Sequence, residues 1–335
     1  MTGFSKIKML SVFLRRILSL LPTLLIGITL SFIIIHLAPG DPASRFLNPN
    51  QTPEMQSSIR ERFGLDRSLP VQYGRWLKNV IFHLDFGYSF YSGKSSRAVI
   101  AVALKSTAIL SFWALVFALI AGISLGILAA LKQNRLIDYF CNNLMIFFLS
   151  IPGFWLGLML IGIFSIQLSW LPGAHLHSLY HHQLGPGARF WDLAKHLILP
   201  VITLGLPLAA TFFKYIRSNM IETLNSDYIL AAKARGVNRS KILWKYALKN
   251  SLLPIISLLG IVIPALLSGA VIVEVLFALP GVGRTMVTAV YSRDYPVLMA
   301  AVTFGFIAVL LCNLLADICY RIVDPRFQHS PSEIS

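Results

Sequence analysis

The sequence predicts an all-α polytopic membrane protein that crosses the bilayer about six times. Hydrophobic residues fill 56% of the 335 positions and charged residues only 13%, whereas a soluble globular chain carries about 25% charged residues. The mean hydropathy is +0.70, and several apolar runs reach the ~20 residues that a helix needs to span the hydrocarbon core. The net charge of +15 is spread over the segments between these runs, which indicates contact with anionic lipid and no nucleic-acid partner.

Six apolar segments are long enough to be membrane spans. They are residues 13–37, 104–131, 139–168, 197–216, 252–275 and 297–322. The first follows a basic stretch, as a signal peptide would, but it is too long for a signal-peptide hydrophobic region and has no convincing cleavage site. We therefore interpret it as an uncleaved span that leaves the N-terminus in the cytoplasm.

The charges of the short loops predict the same orientation. Six spans return the C-terminus to the cytoplasm, and the loops on that side hold most of the basic residues. They contain Lys132, Arg135, Lys214, Arg217, Lys233, Arg235, Arg239, Lys241, Lys245, Lys249, Arg321 and Arg326. The alternate short loops carry only Arg189, Lys195, Arg284 and Arg293, as expected from the positive-inside rule.

The predicted spans divide the chain into two parts. Residues 1–103 form a cytoplasmic tail, the first span and a large extracytoplasmic loop, and residues 104–335 form a transmembrane core with a cytoplasmic loop at residues 217–250. The large loop contains a predicted helix that starts at Pro53. A second helix follows Pro70 and has an apolar stripe at helical spacing, which is compatible with lying on the membrane surface or with covering the bundle.

Glycines and prolines predict how the spans pack and bend. Gly122-x-x-x-Gly126 and Gly153-x-x-x-Gly157 are small-residue motifs that allow helices to approach closely in lipid. Proline lacks a backbone N–H, so Pro152, Pro207 and Pro264 are predicted to kink their spans. A gate hinge is the alternative interpretation of these prolines.

No constellation of side chains predicts catalysis. The segment from Gly87 to Ser95 resembles a phosphate-binding loop, but five residues separate its glycines instead of four, and it lies on the predicted outer side. We reject it, and any ATP hydrolysis must then come from another chain. Cys141, Cys312 and Cys319 fall in apolar spans without metal-ligand or disulfide spacing and are predicted to be small buried hydrophobes.

Four histidines lie close together in one short outer loop. They are His175, His177, His181 and His182. Imidazoles at this spacing are able to bind a transition metal, but a solvated loop is the commoner explanation. We predict no metal site here.

Ionisable residues inside the spans are candidates for function because burying them is costly. Glu274 closes the fifth span, and Asp317 is spaced for an ion pair with Arg321. The scarcity of such groups argues against a proton-coupled or ion-coupled carrier, which needs a coupling site near the midplane. The sequence predicts a transport subunit that is not an enzyme and that holds no cofactor of its own.

The stretch from Asp227 to Pro254 is cationic within an otherwise apolar chain. It predicts one helix over Tyr228–Arg235 that ends at Gly236 and a second over Ser240–Asn250, with Ser226 and Asn238 as N-caps. Between the basic residues, small side chains leave a surface suited to close approach by another body. They are Ala231, Ala232, Ala234 and Gly236. On residue chemistry alone, a loop that its lysines and arginines merely hold in the cytoplasm is an equal alternative.

Ordered motifs along nearly the whole chain resemble one family, the permeases of peptide-type ABC importers (the dipeptide/oligopeptide permease B group). The motifs are Arg15-Arg16, His36-Leu-Ala-Pro-Gly-Asp-Pro42, Phe63-Gly-Leu-Asp66, Pro70-Val-Gln-Tyr73, Phe86-Gly-Tyr-Ser89, Ser150-Ile-Pro-Gly-Phe-Trp-Leu-Gly157, Leu199-Pro-Val-Ile-Thr-Leu-Gly205, Pro280-Gly-Val-Gly-Arg284, Arg293-Asp-Tyr-Pro296 and Asp324-Pro-Arg326. In this order they are highly specific. The resemblance implies the fold of a type I ABC importer permease in the cytoplasmic (inner) membrane.

The cationic stretch is similar to the cytoplasmic loop by which such permeases dock into the ATPase subunit. The family pattern has Glu-Ala-Ala followed three residues later by Gly, and here Leu230 replaces the glutamate. The resemblance implies docking roles for Asp227, Tyr228, Ala231, Ala232, Ala234, Arg235, Gly236 and Leu248. It also singles out an extracytoplasmic motif made of Pro280, Gly281, Gly283 and Arg284.

The resemblance further implies a set of partners. They are a second homologous permease, two cytoplasmic ATPase subunits that bind ATP and Mg, an extracytoplasmic solute-binding protein and membrane lipid. The implied function is import of dipeptides or oligopeptides driven by ATP. The alternatives are an ABC permease for nickel or another small solute and, in a different class, a stand-alone secondary carrier or channel.

Overall fold

The computed structural model describes residues 21–37, 61 and 66–323, and the side chains of residues 315–323 are not described. The helix predicted to start at Pro53 and the ion pair predicted between Asp317 and Arg321 therefore lie outside the described residues and side chains. Within the described part every regular element is helical, and β pairing is limited to an isolated bridge between Tyr88 and Ser95.

The described residues form twelve main helices. They are α1 (Leu21–Leu37), α2 (Leu69–His83), α3 (Ser96–Leu131), α4 (Leu136–Ser150), α5 (Gly153–Gln167), α6 (Pro186–Leu224), α7 (Asp227–Ala234), α8 (residues 239–251), α9 (Leu253–Leu267), α10 (Val271–Leu276), α11 (Val282–Ser292) and α12 (Tyr295–Val323). The second half of α5 and the middle of α8 are wound as π-helix, a conformation found mostly as short insertions.

The described residues contain four helices that are long and apolar enough to cross a membrane. They are α3, α6, the run Arg239–Leu276 and Tyr295–Leu314, and the bent pair α4–α5 makes a fifth candidate. The remaining predicted span begins in residues that are not described, and its described part is the shorter apolar helix α1. The described part of each predicted segment is thus mainly apolar helix, although not always one continuous helix.

The third predicted span is not the single helix that residues 139–168 suggested. Helices α4 and α5 meet at an angle of 102°. Pro152 causes the break, because proline disfavours helical backbone at the residue before it and has no N–H to continue the hydrogen-bond ladder. Accordingly, Ile151 is extended, with φ −74° and ψ 130°. The kink predicted at Pro152 is confirmed, whereas Pro207 and Pro264 lie inside the continuous helices α6 and α9.

Two glycines of α3 allow close contact with α6. A Cβ added at Gly122 would lie 2.7 Å from the carbonyl oxygen of Ala209 and 2.8 Å from Cβ of Phe212. One added at Gly126 would lie 2.8 Å from Cγ2 of Ile216. The packing role predicted for this motif is confirmed. In the other motif only Gly157 is crowded, since no described atom lies within 4 Å of a Cβ added at Gly153.

Replacing Gly122 with alanine is therefore expected to lower stability by about 1–3 kcal/mol, the usual cost of overpacking a close contact. The melting temperature of the detergent-solubilised protein would report the loss. Gly153→Ala is the matched control, because the same methyl group meets open space among the described residues. Equal melting temperatures for the two variants would contradict the close α3–α6 contact.

The described helices form two compact units. One comprises the described residues up to Lys105 together with Val282–Leu311. Its core includes Phe86, Ile100 and Leu298, and α2 packs Trp76 and Val80 against it. Other apolar residues of the α2 region, Ile81, Phe82 and Leu84, are exposed. The apolar stripe of α2 thus covers this core along one edge only.

The second unit comprises Ser106–Gly281 and the end of α12. Helix α6 is at its centre, and five of its large side chains are fully buried. They are Leu199, Phe212, Phe213, Ile216 and Met220. The part of α3 that follows Lys105, helices α4 and α5 and the α7–α9 region all supply neighbours to this unit's clusters. The predicted coupling residues belong to this unit.

Candidate functional site

The predicted coupling loop, residues 217–250, is helical for most of its length. Arg217 lies inside α6, which continues to Leu224, so the span predicted to end at residue 216 is two turns longer. Helix α7 then begins with Asp227 in its first turn, where an acidic residue is favourable to the helix dipole. Gly236 ends this segment with φ +75°, a left-handed conformation that glycine adopts at low cost.

The two predicted N-caps behave differently. Asn238 accepts a hydrogen bond from the backbone N–H of Ser240 at 2.9 Å and caps α8 as predicted. The hydroxyl of Ser226 instead donates to the carbonyl oxygen of Thr223 at 2.6 Å. The Ser226 side chain therefore makes no capping hydrogen bond to α7, contrary to the prediction.

Helix α7 packs against α8 and is hydrogen-bonded to it. Ile229 and Ala232 of α7 and Ile242 and Ala247 of α8 are buried. The side-chain amide of Asn250 donates a 2.8 Å hydrogen bond to the hydroxyl of Tyr228. Ala232 was predicted to belong to an outward surface, but it is only 2% exposed, because it lies on the buried side of α7 together with Ile229, one helical turn away. Leu248 of α8 is half-buried and, like its neighbour Ala247, packs against α6.

The other predicted coupling residues lie on the outside of the α7 segment. Asp227, Tyr228, Ala231, Ala234, Arg235 and Gly236 are exposed. We call the exposed Ala231, Ala234 and Gly236 the small-residue face. Leu230, which is 53% exposed, lies next to Ala231, and Trp244 of α8 is 59% exposed. Small side chains beside exposed apolar ones form a surface that another protein is able to approach closely.

Helix α6 connects this region to α4. Ile216 and Met220 pack with Ala247 of α8 and Ile255 of α9. Phe213 and Ala210 of the same helix pack with Cys141 and Met145 of α4. The prediction that Cys141 is a small buried hydrophobe is thereby confirmed.

An ion pair reinforces the contact between α4 and α6. Arg217 donates from Nε to Oδ1 of Asp138 at 2.6 Å and from a terminal nitrogen to Oδ2 at 2.8 Å. Oδ2 of Asp138 also accepts the backbone N–H of Asn134 at 3.0 Å. Sequence analysis missed Asp138. The available signal was its position, since Asp138 directly precedes one predicted span and Arg217 directly follows another.

The extracytoplasmic motif begins with a tight backbone contact. Pro280 is exposed, Gly281 and Gly283 are buried, and Arg284 is half-buried near the start of α11. A Cβ added at Gly281 would overlap the carboxylate of Glu274, which is fully buried. Thr107 donates a 2.7 Å hydrogen bond to Oε1 of Glu274. Only glycine fits at residue 281 while that carboxylate keeps its position.

Two motifs that are about 200 residues apart in sequence meet at Asp294. Its carboxylate accepts the hydroxyl of Ser89 at 2.5 Å and the backbone N–H groups of Phe90 and Tyr91 at 3.1 and 3.2 Å. It also lies 3.5 Å from the N–H of Val297 in the first turn of α12. The N–H groups of Phe90 and Tyr91 belong to the segment that resembled a phosphate-binding loop, and here they donate to the carboxylate of Asp294.

One of the four loop histidines is hydrogen-bonded to Asp192. His181 contacts Oδ2 of Asp192 through Nδ1 at 2.6 Å, His196 lies 3.4 Å from Oδ1, and His177 stacks on His181. Among the residues that the structure describes, no group of three or more His, Cys, Asp or Glu side chains is arranged to hold a metal.

Comparison with known sequences identifies the family. A profile described as "Binding-protein-dependent transport system inner membrane component" matches residues 122–329, and one for the N-terminal part of such membrane components matches residues 9–111. The chain belongs to this family. Its resemblance to the peptide-type ABC permeases is thereby confirmed, as are its multi-pass location in the inner membrane and the assignment of ATP hydrolysis to a separate subunit.

Curated permeases are similar to this chain over nearly its whole length. The oligopeptide transport system permease protein AppB of Bacillus subtilis is 38% identical over 318 residues, which are 94% of this chain and 98% of the relative. The glutathione transport system permease protein GsiC of Salmonella typhimurium is 35% identical over 321 residues, 96% and 100% of the two chains. The dipeptide transport system permease protein DppB of Alkalihalophilus pseudofirmus is 36% identical over 335 residues, again 96% and 100%.

The permease also shares its fold with a solved transporter. A chain of the MetNI methionine ABC transporter, in an inward-facing crystal form, superposes with a TM-score of 0.53 at 16% identity and covers 68% of the permease and 97% of its own length. At this identity the likeness shows the fold alone. The predicted ABC importer permease fold is confirmed by it.

Proposed function

We propose that this permease imports dipeptides or oligopeptides that an extracytoplasmic binding protein delivers, and that α7 couples it to ATP hydrolysis. The names of the relatives support a peptide substrate over nickel or another small solute. Membership of a binding-protein-dependent family argues against a stand-alone carrier or channel. The observation that carries the coupling role is the small-residue face, which is exposed on a helix fastened through α8 to the central helix α6.

The proposed assembly contains this chain, a second homologous permease, two cytoplasmic ATPase subunits that bind ATP and Mg, and a binding protein. The chain itself holds no cofactor, and lipid surrounds its apolar exterior. Both termini are in the cytoplasm, residues 1–103 form the tail, first span and outer loop, and residues 104–335 form the core. ATP-driven closure of the ATPase pair moves α7 and thereby switches the core between inward-open and outward-open states.

In this proposal the ATPase contacts the small-residue face and the neighbouring Asp227, Tyr228 and Arg235. Leu230 replaces the family's glutamate, so an apolar contact takes the place of a charged one. Ala232 and Leu248 contribute indirectly, by holding α7 on α8. The motif of Pro280, Gly281, Gly283 and Arg284 serves the opposite side of the membrane as a fixed turn before α11.

Ala231→Glu tests the docking role. The substituted side chain is exposed on a helix, so it leaves the fold intact but places a carboxylate where the ATPase must approach, and desolvating that charge is costly. We expect the ATPase subunit to stop copurifying and peptide uptake to fall to background. Ala188→Glu is the matched control, because Ala188 is also exposed and helical but lies at the other end of α6. Normal copurification and uptake in Ala231→Glu would overturn the docking role.

The substrate class is tested separately. Proteoliposomes that contain the full assembly and its binding protein are given a dipeptide, a pentapeptide or Ni²⁺, each radiolabelled. We expect ATP-dependent accumulation of a peptide and none of Ni²⁺. Accumulation of Ni²⁺ alone would replace the proposed substrate and leave the coupling role untouched.

A further inference from the structure

We propose that Asp138 and Arg217 are positioning residues that make α4 move together with the ATPase-docking helices. The inference rests on the proposed function, since it assumes that α7 receives the ATPase movement. Helix α6 contacts both regions, since its residues pack with α8 and α9 and with α4. The ion pair fixes α6 to α4 near the point where α6 leads into α7.

The first step is the geometry of the pair. Asp138 is 1% exposed, and three N–H groups converge on its two oxygens at 2.6, 2.8 and 3.0 Å. A guanidinium that binds both oxygens of a carboxylate fixes direction as well as distance. The third donor, the N–H of Asn134, ties the turn between α3 and α4 to the same carboxylate. A slide or rotation of α6 against α4 would break both guanidinium hydrogen bonds.

The second step is the arrangement of α6. Arg217 follows Ile216, which packs with the α8–α9 region, and lies one turn after Phe213, which packs with α4. Apolar packing holds both sides of α6 against its neighbours, and the two-point ion pair adds a contact that can form in one register only. A displacement received by α7 and α8 is therefore passed through α6 to α4 as a rigid-body movement.

The third step is where α4 leads. It is the first half of the span that bends by 102° into α5. Gly157 of α5 lies in close contact with Leu276 and with Thr203 of α6. Movement of α4 thus changes the position of a broken span deep in the unit. Irregular backbone at membrane depth is found mainly where it is buried in protein or lines a cavity.

The fourth step is energetic. A buried ion pair adds little net stability, because desolvation offsets the attraction, and an apolar pair of similar size is often as stable. The best-supported benefit of such a pair is a unique register. That benefit is what a rigid connection between the docking helices and the bent span requires.

The test uses the reconstituted assembly, with peptide uptake and ATP hydrolysis measured on the same proteoliposomes. Asp138→Asn is expected to keep the ATPase bound, because the small-residue face is unchanged, and to hydrolyse ATP. The uptake per ATP hydrolysed is expected to fall about tenfold, within the usual range of coupling between sites. Arg217→Lys keeps the charge but loses the two-point contact, and we expect a smaller fall.

Asp192→Asn is the matched control. Asp192 is another largely buried carboxylate of the same unit, hydrogen-bonded to His181, but it lies at the start of α6. Loss of stability alone would lower the amount of active assembly in both variants and leave uptake per ATP unchanged. We expect that unchanged ratio for Asp192→Asn only.

An unchanged ratio in Asp138→Asn overturns the inference. If Asp138→Asn yields no assembly, an unchanged ratio in Arg217→Lys overturns it equally. Restoration of the ratio by the exchange Asp138→Arg with Arg217→Asp would support it. Failure of the unsubstituted chain to bind the ATPase would instead refute the proposed docking function, so the two failures are distinguishable.

Discussion

Asp294→Ala is expected to destabilise the permease by about 3 kcal/mol or more, because a hydrogen-bond network loses the buried carboxylate that accepts from three donors. Asp294 is 2% exposed and accepts from Ser89, Phe90 and Tyr91. Removing the carboxylate takes an acceptor away from the buried Ser89 hydroxyl and from the two backbone N–H groups. We expect low yields of folded protein and a markedly lower melting temperature in detergent.

Two further variants define the cause. Ser89→Ala removes one donor and leaves the carboxylate with its amide partners, so about 1–2 kcal/mol is expected. Asp85→Ala is the control on the same turn, since Asp85 is exposed and bonds only locally to the N–H of Gly87 among the contacts described here. A melting temperature for Asp294→Ala equal to that of Asp85→Ala would show that the network does not hold the turn to α12.

Gly281→Ala is expected to be nearly as damaging. The added methyl group would occupy the space of the Glu274 carboxylate, which is fully buried and held by Thr107. Either the turn before α11 or this carboxylate must move, and overpacking of this kind costs about 1–3 kcal/mol and occasionally more. We expect reduced stability together with reduced uptake, because the turn would no longer present Pro280 in its normal place.

A second substitution tests whether steric overlap with the Glu274 carboxylate causes the effect of Gly281→Ala. Adding Glu274→Asp withdraws the carboxylate by one methylene, and the double variant should recover part of the melting temperature that Gly281→Ala loses. Gly74→Ala is the control, because no described atom lies within 4 Å of its added Cβ. If the double variant were less stable than either single one, steric overlap would not be the cause.

Periodicity and composition predicted much of the fold. The six apolar segments, the Gly236 helix end and the Asn238 cap follow from local rules, because each depends on residues that are close in sequence. The break at Pro152 follows from the same rules, but its angle of 102° does not. That angle depends on which neighbours α4 and α5 pack against, and these contacts are not encoded within the segment itself.

The candidate site was predicted in outline and not in detail. The α7 residues were found from their small size and their order along the chain, but the sequence alone could not show that Ala232 faces inward. Its orientation depends on α8, which begins after a glycine turn. Asp138 and Arg217 are 79 residues apart, and Ser89 and Asp294 are 205 apart. Such pairs depend on tertiary packing, so the periodicity of apolar residues within one helix does not predict them.

The length of α6 has a mechanical consequence. Its 39 residues, at about 1.5 Å of rise each, make a rod of about 58 Å, nearly twice the ~30 Å of hydrocarbon that it crosses. About half of this length therefore extends beyond the hydrocarbon, with Asp192 near one end of the helix and α7 following the other. A tilt of a few degrees about the middle of so long a helix would displace its two ends by ångströms in opposite directions, so the coupling proposed for α7 requires only a small rotation of α6.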